Sequence, residues 1–129
     1  MIALIALRRI LFLDNDTGVL ELVKRVIEKA GYCVIGHSNT AAALAEFSAA
    51  PDTFDLVVAD LAMADASGIE IAQRLVAIRT DIPIIVTAAY ISPDDEALAA
   101  HSGIREVVSK SATVEELCLA FGRVLGPAD

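Results

Sequence analysis

Arg9-Ile10-Leu11-Phe12-Leu13-Asp14-Asn15-Asp16 decides how this chain is read: a compact apolar run that stops abruptly in two acids and an amide. A run this short suits a strand better than a buried helix. Beyond it, Val19, Leu22, Val23, Val26, Ile27 and Ala30 recur at helical spacing and mark one face of a helix. Gly31 follows at the position where a helix end favours a left-handed residue. The unit is therefore strand, polar turn, amphipathic helix.

The same unit repeats along the chain. Residues 32–35 read as a second strand, and residues 40–49 as a short alanine-rich helix with Leu44 and Phe47 inward. Residues 54–59 form a third strand, apolar almost throughout, as expected of a strand covered on both faces. Ile69, Ala72, Leu75, Val76 and Ile78 predict a third helix, and residues 83–87 a fourth strand. Ser92-Pro93-Asp94-Asp95 starts the next helix with a capping serine, a proline in the first turn and acids at the positive end of the helix dipole. Residues 106–109 are the fifth strand. Thr113 and Glu116 make a capping box ahead of Val114, Leu117, Cys118, Phe121, Val124 and Leu125, which line the last helix. Five such units predict an α/β fold, a flavodoxin-like doubly wound (βα)5 domain with a parallel sheet in the order 2-1-3-4-5.

A length of 129 residues suits one domain over 1–129, with a core at about 9–125 and an apolar N-terminal extension at 1–8. The extension is far shorter than the roughly 20 apolar residues of a membrane span, and its charges follow the apolar stretch instead of preceding it, unlike a secretory leader. It is expected to lengthen the first strand in preference to forming a dimer contact. The net charge of −8 repels nucleic acid, and the only basic pairs are Arg8-Arg9 and Lys24-Arg25, so direct DNA binding is not expected. Cys33 and Cys118 lie in unrelated patterns, which fits buried free thiols and a cytoplasmic protein. His37 and His101 fall outside the motifs that carry chemistry.

In an open parallel sheet ligands gather at the carboxyl ends of the strands. The residues there are Asp14, Asn15, Asp60, Thr87 and Lys110. Carboxylates so gathered invite a hard divalent cation such as Mg²⁺, which takes oxygen ligands and completes its shell with water and phosphate. A carboxylate can then attack a phosphoryl group whose charge is met by a lysine and a threonine hydroxyl.

Four segments in this order, Ile10-Leu11-Phe12-Leu13-Asp14-Asn15-Asp16, Phe54-Asp55-Leu56-Val57-Val58-Ala59-Asp60-Leu61-Ala62-Met63 with Gly68, Pro83-Ile84-Ile85-Val86-Thr87-Ala88 and Val107-Val108-Ser109-Lys110, resemble the receiver domain of two-component response regulators from about residue 9 to 125. The resemblance implies that Asp60 accepts a phosphoryl group from a histidine kinase or a phosphotransfer protein. It implies a Mg²⁺ site of Asp14, Asn15, Asp60 and the backbone carbonyl of Ala62. Thr87 and Lys110 would contact the phosphoryl group, and small Ala88 would leave it accessible. It also implies a downstream protein target, with no effector domain expected after Asp129, and a homodimer or partner surface on the fourth helix, fifth strand and fifth helix that includes Tyr90, Ile91, Leu98 and Arg105.

Departures from the family pattern carry their own expectations. Asn15 stands where the family usually has a second acid, which predicts weaker metal binding, with Asp16 the nearby carboxylate that could compensate. Ser111 replaces the proline after the lysine, so a trans bond and some displacement of Lys110 are expected, since a cis bond before a non-proline costs about 2.5–4 kcal/mol. Val107 replaces the aromatic residue that usually swings on activation. Ala64 replaces a proline that often follows the acceptor loop, a minor change. Ala62 and Ala89 cannot orient an attacking water by hydrogen bonding, which predicts a long-lived phosphoaspartate. Two other functions fit parts of the pattern. One is a receiver-like interaction module that does not use phosphate. The other is a haloacid-dehalogenase-type phosphatase with Asp14 as nucleophile and Asp16 as acid/base, which leaves Asp60 unexplained.

Overall fold

The computed structural model describes residues 7–126. Its elements run β1 (Arg9–Leu13), α1 (Thr17–Lys29), β2 (Cys33–His37), α2 (Thr40–Ala49), a 3-10 turn (Pro51–Thr53), β3 (Leu56–Asp60), α3 (Gly68–Ile78), β4 (Ile84–Ala88), α4 (Pro93–His101), β5 (Ile104–Ser109) and α5 (Val114–Leu125). All strand pairs are parallel and the sheet order is β2-β1-β3-β4-β5, as the alternation of elements predicts.

The period of two along each strand divides the apolar residues between two cores. Leu11, Leu13, Val57, Ala59, Ile84 and Val86 face α2, α3 and α4, where they meet Phe47, Ile71, Leu75 and Ala99. Ile10, Phe12, Leu56, Val58, Ile85 and Val108 face α1 and α5, where they meet Val23, Ile27, Leu117 and Phe121. With both faces covered, β3 and β4 are buried along their whole length.

Several boundaries differ from the sequence reading, each for a local reason. β2 begins at Cys33 and reaches His37, because pairing continues with Phe12 and Leu13 of β1. β3 begins at Leu56, not Phe54. Phe54 ends the 3-10 turn and its ring stacks on Phe47 at a 5.8 Å centroid distance. β5 begins at Ile104 because Gly103 turns the chain at φ 83°, and a register irregularity opposite Ile84/Ile85 skips Arg105, so that Ile104 pairs with Ile84 and Glu106 with Ile85. Leu22 and Ile78, both placed on inward helix faces by their spacing, are exposed, whereas Ile71 is buried. Gly31 adopts φ 101° just past α1, as the sequence predicts. The first strand does not reach back to Leu7, which is exposed; residues 2–6 of the predicted extension lie outside the described residues. Among the described residues no helix is long and apolar enough to cross a membrane.

Candidate functional site

Sheet register brings the acids together. Leu13 pairs with Ala59, so Asp14 leaves β1 beside the point where Asp60 ends β3, and Asp60 itself pairs with Thr87 of β4. Lys110 follows the last residue of β5, and its backbone N–H donates to the Ala88 carbonyl at 2.9 Å. Asp14, Asp60, Thr87 and Lys110, four of the five predicted residues, thus share one edge of the sheet, and Asn15 follows Asp14 directly. Both carboxylates are nearly closed off, with side-chain exposures of 3% for Asp14 and 7% for Asp60.

Lys110 joins them. Its Nζ lies 2.7 Å from Asp60 Oδ2 and 3.1 Å from Asp14 Oδ2. Burial alone would lower the lysine pKa, but hydrogen bonds to Asp60 and Asp14 and their charges outweigh it and hold the ammonium above its ordinary value of 10.5. The other carboxylate oxygens are also engaged: Asp14 Oδ1 accepts the Asp16 N–H at 2.9 Å, and Asp60 Oδ1 accepts the Ala62 N–H at 3.1 Å. Among the described residues there is no cis peptide bond, so Lys110-Ser111 is trans as expected. With that trans bond the Lys110 ammonium still reaches both carboxylates.

Thr87 contributes an unsatisfied donor. The residue is only 7% exposed, and among the described residues its Oγ1 has no hydrogen-bond partner. It lines a cavity of about 80 Å³ with Phe12, Asp14, Ser109, Lys110 and Leu117. An orphaned buried hydroxyl costs about 1–3 kcal/mol, so its position beside a lysine marks a place for an oxygen-rich ligand. Ala88 is buried behind it, while Ala62 and Ala89 are exposed.

The loop between β3 and α3 is tied at several points. The Asn15 Nδ2 donates to the Ala62 carbonyl at 2.6 Å, and Asn15 Oδ1 accepts the Ala64 N–H at 3.0 Å. Thr40 Oγ1, at the start of α2, donates to Asp65 at 2.7 Å. Ala62 and Ser67 form an antiparallel bridge, and the Gly68 N–H closes onto the Leu61 carbonyl at 2.8 Å. A side chain at Gly68 is not accommodated: a Cβ there would stand 2.8 Å from the Asp60 carbonyl oxygen. Neither the Asn15 contacts nor the Thr40–Asp65 bond has a signature in sequence.

Asp16, the carboxylate nearest Asn15 in sequence, is engaged at the start of α1. Its Oδ1 accepts the N–H groups of Gly18 and Val19 and caps α1, a role that an Asp just ahead of a helix could have suggested. The same capping leaves Asp16 poorly placed as an acid/base partner of Asp14. His37 pairs with Glu46, and His101 Nδ1 lies 2.8 Å from the Ala97 carbonyl, so both histidines are accounted for by local contacts. Cys33 and Cys118 are free and half-buried, and burial, followed by the charge of Glu115, pushes the Cys118 thiol up.

The donors at the sheet edge are hard oxygens, which is the chemistry a divalent cation takes. Among the described residues, however, no three His, Cys, Asp or Glu side chains converge as ligands. Asp14, Asp60 and the Ala62 carbonyl fit such a cation in kind, and each already receives a protein donor.

Two nearly buried acids, a lysine and a threonine hydroxyl without a partner among the described residues thus meet at the carboxyl edge of a doubly wound α/β domain. The sequence model of the response regulator receiver domain matches residues 10–121, and the chain belongs to that family. It is 32% identical over 116 residues to the DNA-binding transcriptional regulator NtrC of Rhizobium meliloti, covering 90% of this chain and 24% of that protein. It is 30% identical over 95 residues to the response regulator receiver protein CpdR of Brucella abortus, covering 70% of this chain and 78% of that one. The chain thus spans about a quarter of the NtrC relative and most of the CpdR relative. The solved receiver domain from Clostridium thermocellum superimposes with a TM-score of 0.87 at 25% identity, over 92% of this chain and 94% of that one.

Proposed function

We propose that this chain is a Mg²⁺-dependent, cytoplasmic receiver that accepts a phosphoryl group on Asp60 from a histidine kinase or phosphotransfer protein. The observation that carries the reading is the Lys110 bridge between Asp60 and Asp14 beside the unpaired Thr87 hydroxyl. In the transfer, an Asp60 carboxylate oxygen forms a bond to phosphorus as the bond from phosphorus to the donor imidazole breaks, and the electron pair stays on the imidazole nitrogen. Lys110 then meets the negative oxygens of the new acyl phosphate, and Thr87 donates the hydrogen bond it otherwise lacks. Asp14, Asp60 and the Ala62 carbonyl, with Asn15 beside them, would hold Mg²⁺, which when bound supplies positive charge to the incoming phosphoryl oxygens. Ala88 keeps the approach open.

The signal passes to a downstream protein by a route other than an aromatic swing, since Val107 is packed against the core on the α3–α4 side. Exposed Tyr90, Leu98 and Arg105, with half-buried Ile91, offer the surface for that partner or for a second copy.

Incubation with acetyl phosphate and Mg²⁺, followed by intact mass, tests the proposal. The expected result is one added phosphoryl group, absent in Asp60→Asn, that persists after the donor is removed because neither Ala62 nor Ala89 can orient a water. No added mass on wild-type protein would mean an interaction module that does not use phosphate.

A further inference from the structure

We propose that Asn15 is an internal latch of the β3–α3 loop, so that this loop is ordered without a divalent cation, and a cation competes only with the Asn15 Nδ2 for the Ala62 carbonyl while the bond from the Ala64 N–H stays in place. The proposal names a regulation of the same site, and it takes its functional meaning from the reading of Asp60 as phospho-acceptor.

The carboxamide is bonded at both ends to one short stretch of backbone. Its nitrogen donates to the Ala62 carbonyl, and its oxygen accepts from the Ala64 N–H. The pairing fixes the amide orientation, since a flipped group would set N–H against N–H and oxygen against oxygen. A carboxylate at residue 15 could keep the bond from Ala64 but would place a second acceptor against the Ala62 carbonyl. Asparagine therefore does at this point what an aspartate could do only with a positive charge between the two oxygens.

Electrostatics point the same way. Asn15 adds no charge, so Asp14 and Asp60 face the Lys110 ammonium as two negatives against one positive, and the lysine touches both. The oxygen that a cation would use on this loop, the Ala62 carbonyl, is the atom the latch covers. Thr40, bonded to Asp65, holds the far side of the loop and limits how far it moves if the latch opens.

Amide hydrogen exchange at Ala64, followed by NMR on the full chain in EDTA and then in excess Mg²⁺, tests the latch without reference to phosphorylation. Wild-type exchange at Ala64 is expected to agree within about twofold between the two conditions, and Asn15→Ala to exchange about five- to tenfold faster in EDTA. Asn15→Asp is expected to exchange faster than wild type in EDTA and to regain protection when Mg²⁺ is added. Unfolding curves of both variants confirm that they remain folded, as the exposure of Asn15 leads one to expect. The proposal is overturned if wild-type protection rises about tenfold on adding Mg²⁺, if Asn15→Ala exchanges like wild type, or if Asn15→Asp is fully protected in EDTA. Acetyl phosphate treatment of the same samples reports separately on Asp60: no phosphoryl uptake with Ala64 protection as expected overturns the receiver reading and leaves the latch standing.

Discussion

Lys110 is the residue on which the electrostatics of the site turn. Its side chain is 32% exposed, yet its ammonium pairs with two carboxylates that are almost fully buried. Replacing it in Lys110→Met leaves those carboxylates facing each other, at a cost of about 1–2 kcal/mol at neutral pH after allowing for water at the ammonium. Because the folded-state lysine pKa is raised, the stabilisation is complete below the unfolded value and is lost as pH climbs through the folded one. Urea unfolding of wild type and Lys110→Met from neutral to strongly alkaline pH should show a gap that closes above the ordinary lysine value of 10.5. A gap of constant size across that range contradicts the bridging role. Asp14, Asp60, Thr87 and Lys110 were legible in sequence because each stands at a strand end or within one residue of it, where register decides the neighbours. Asn15 was legible as a residue of the carboxyl edge and as a missing charge, but not as a tie of the β3–α3 loop. Its bonds to Ala62 and Ala64 depend on how a loop folds back, and no periodicity reports that.

At the scale of elements, the β3–α3 connection does more than link a strand to a helix. It carries the Ala62 carbonyl to Asn15, closes through the Ala62–Ser67 bridge and enters α3 under the Ser67 cap, whose hydroxyl accepts the Glu70 N–H. Gly68 permits this closure, since its Cα sits against the backbone of Asp60 and Leu61. Gly68→Ala is expected to cost about 1–3 kcal/mol by overpacking and to reduce phosphoryl uptake, because relief must come from backbone that positions Asp60. Chemical denaturation with acetyl phosphate labelling checks both effects; an alanine variant as stable and as readily labelled as wild type refutes the steric account. Helix starts were the best-read boundaries, since Ser92 and Thr113 each cap in the predicted place. Strand ends were read less well. The start of β3 was missed because apolar Phe54 belongs to the turn before it, and the start of β5 because Gly103 and the irregularity at Ile84/Ile85 are tertiary features.

For the whole molecule, the alternation of short apolar runs with amphipathic stretches left one economical solution, a parallel sheet covered on both faces. The two cores follow from that alternation: odd-numbered residues of β1 and β3 face α2 and α3, and even-numbered ones face α1 and α5. This is why the fold was almost fully readable, whereas Leu22 and Ile78 were misplaced: a helix pattern gives a face but not the width of the surface that covers it. Asp14 and Asp60 are the two nearly buried carboxylates at the carboxyl edge, and which of them takes a phosphoryl group separates the proposed receiver from a phosphatase. Reductive cleavage of the acetyl phosphate-treated protein with borohydride, which turns a phosphorylated aspartate into homoserine, followed by peptide mass mapping, distinguishes them directly. The converted residue should be Asp60 with Asp14 untouched; conversion at Asp14, or at neither, contradicts the account.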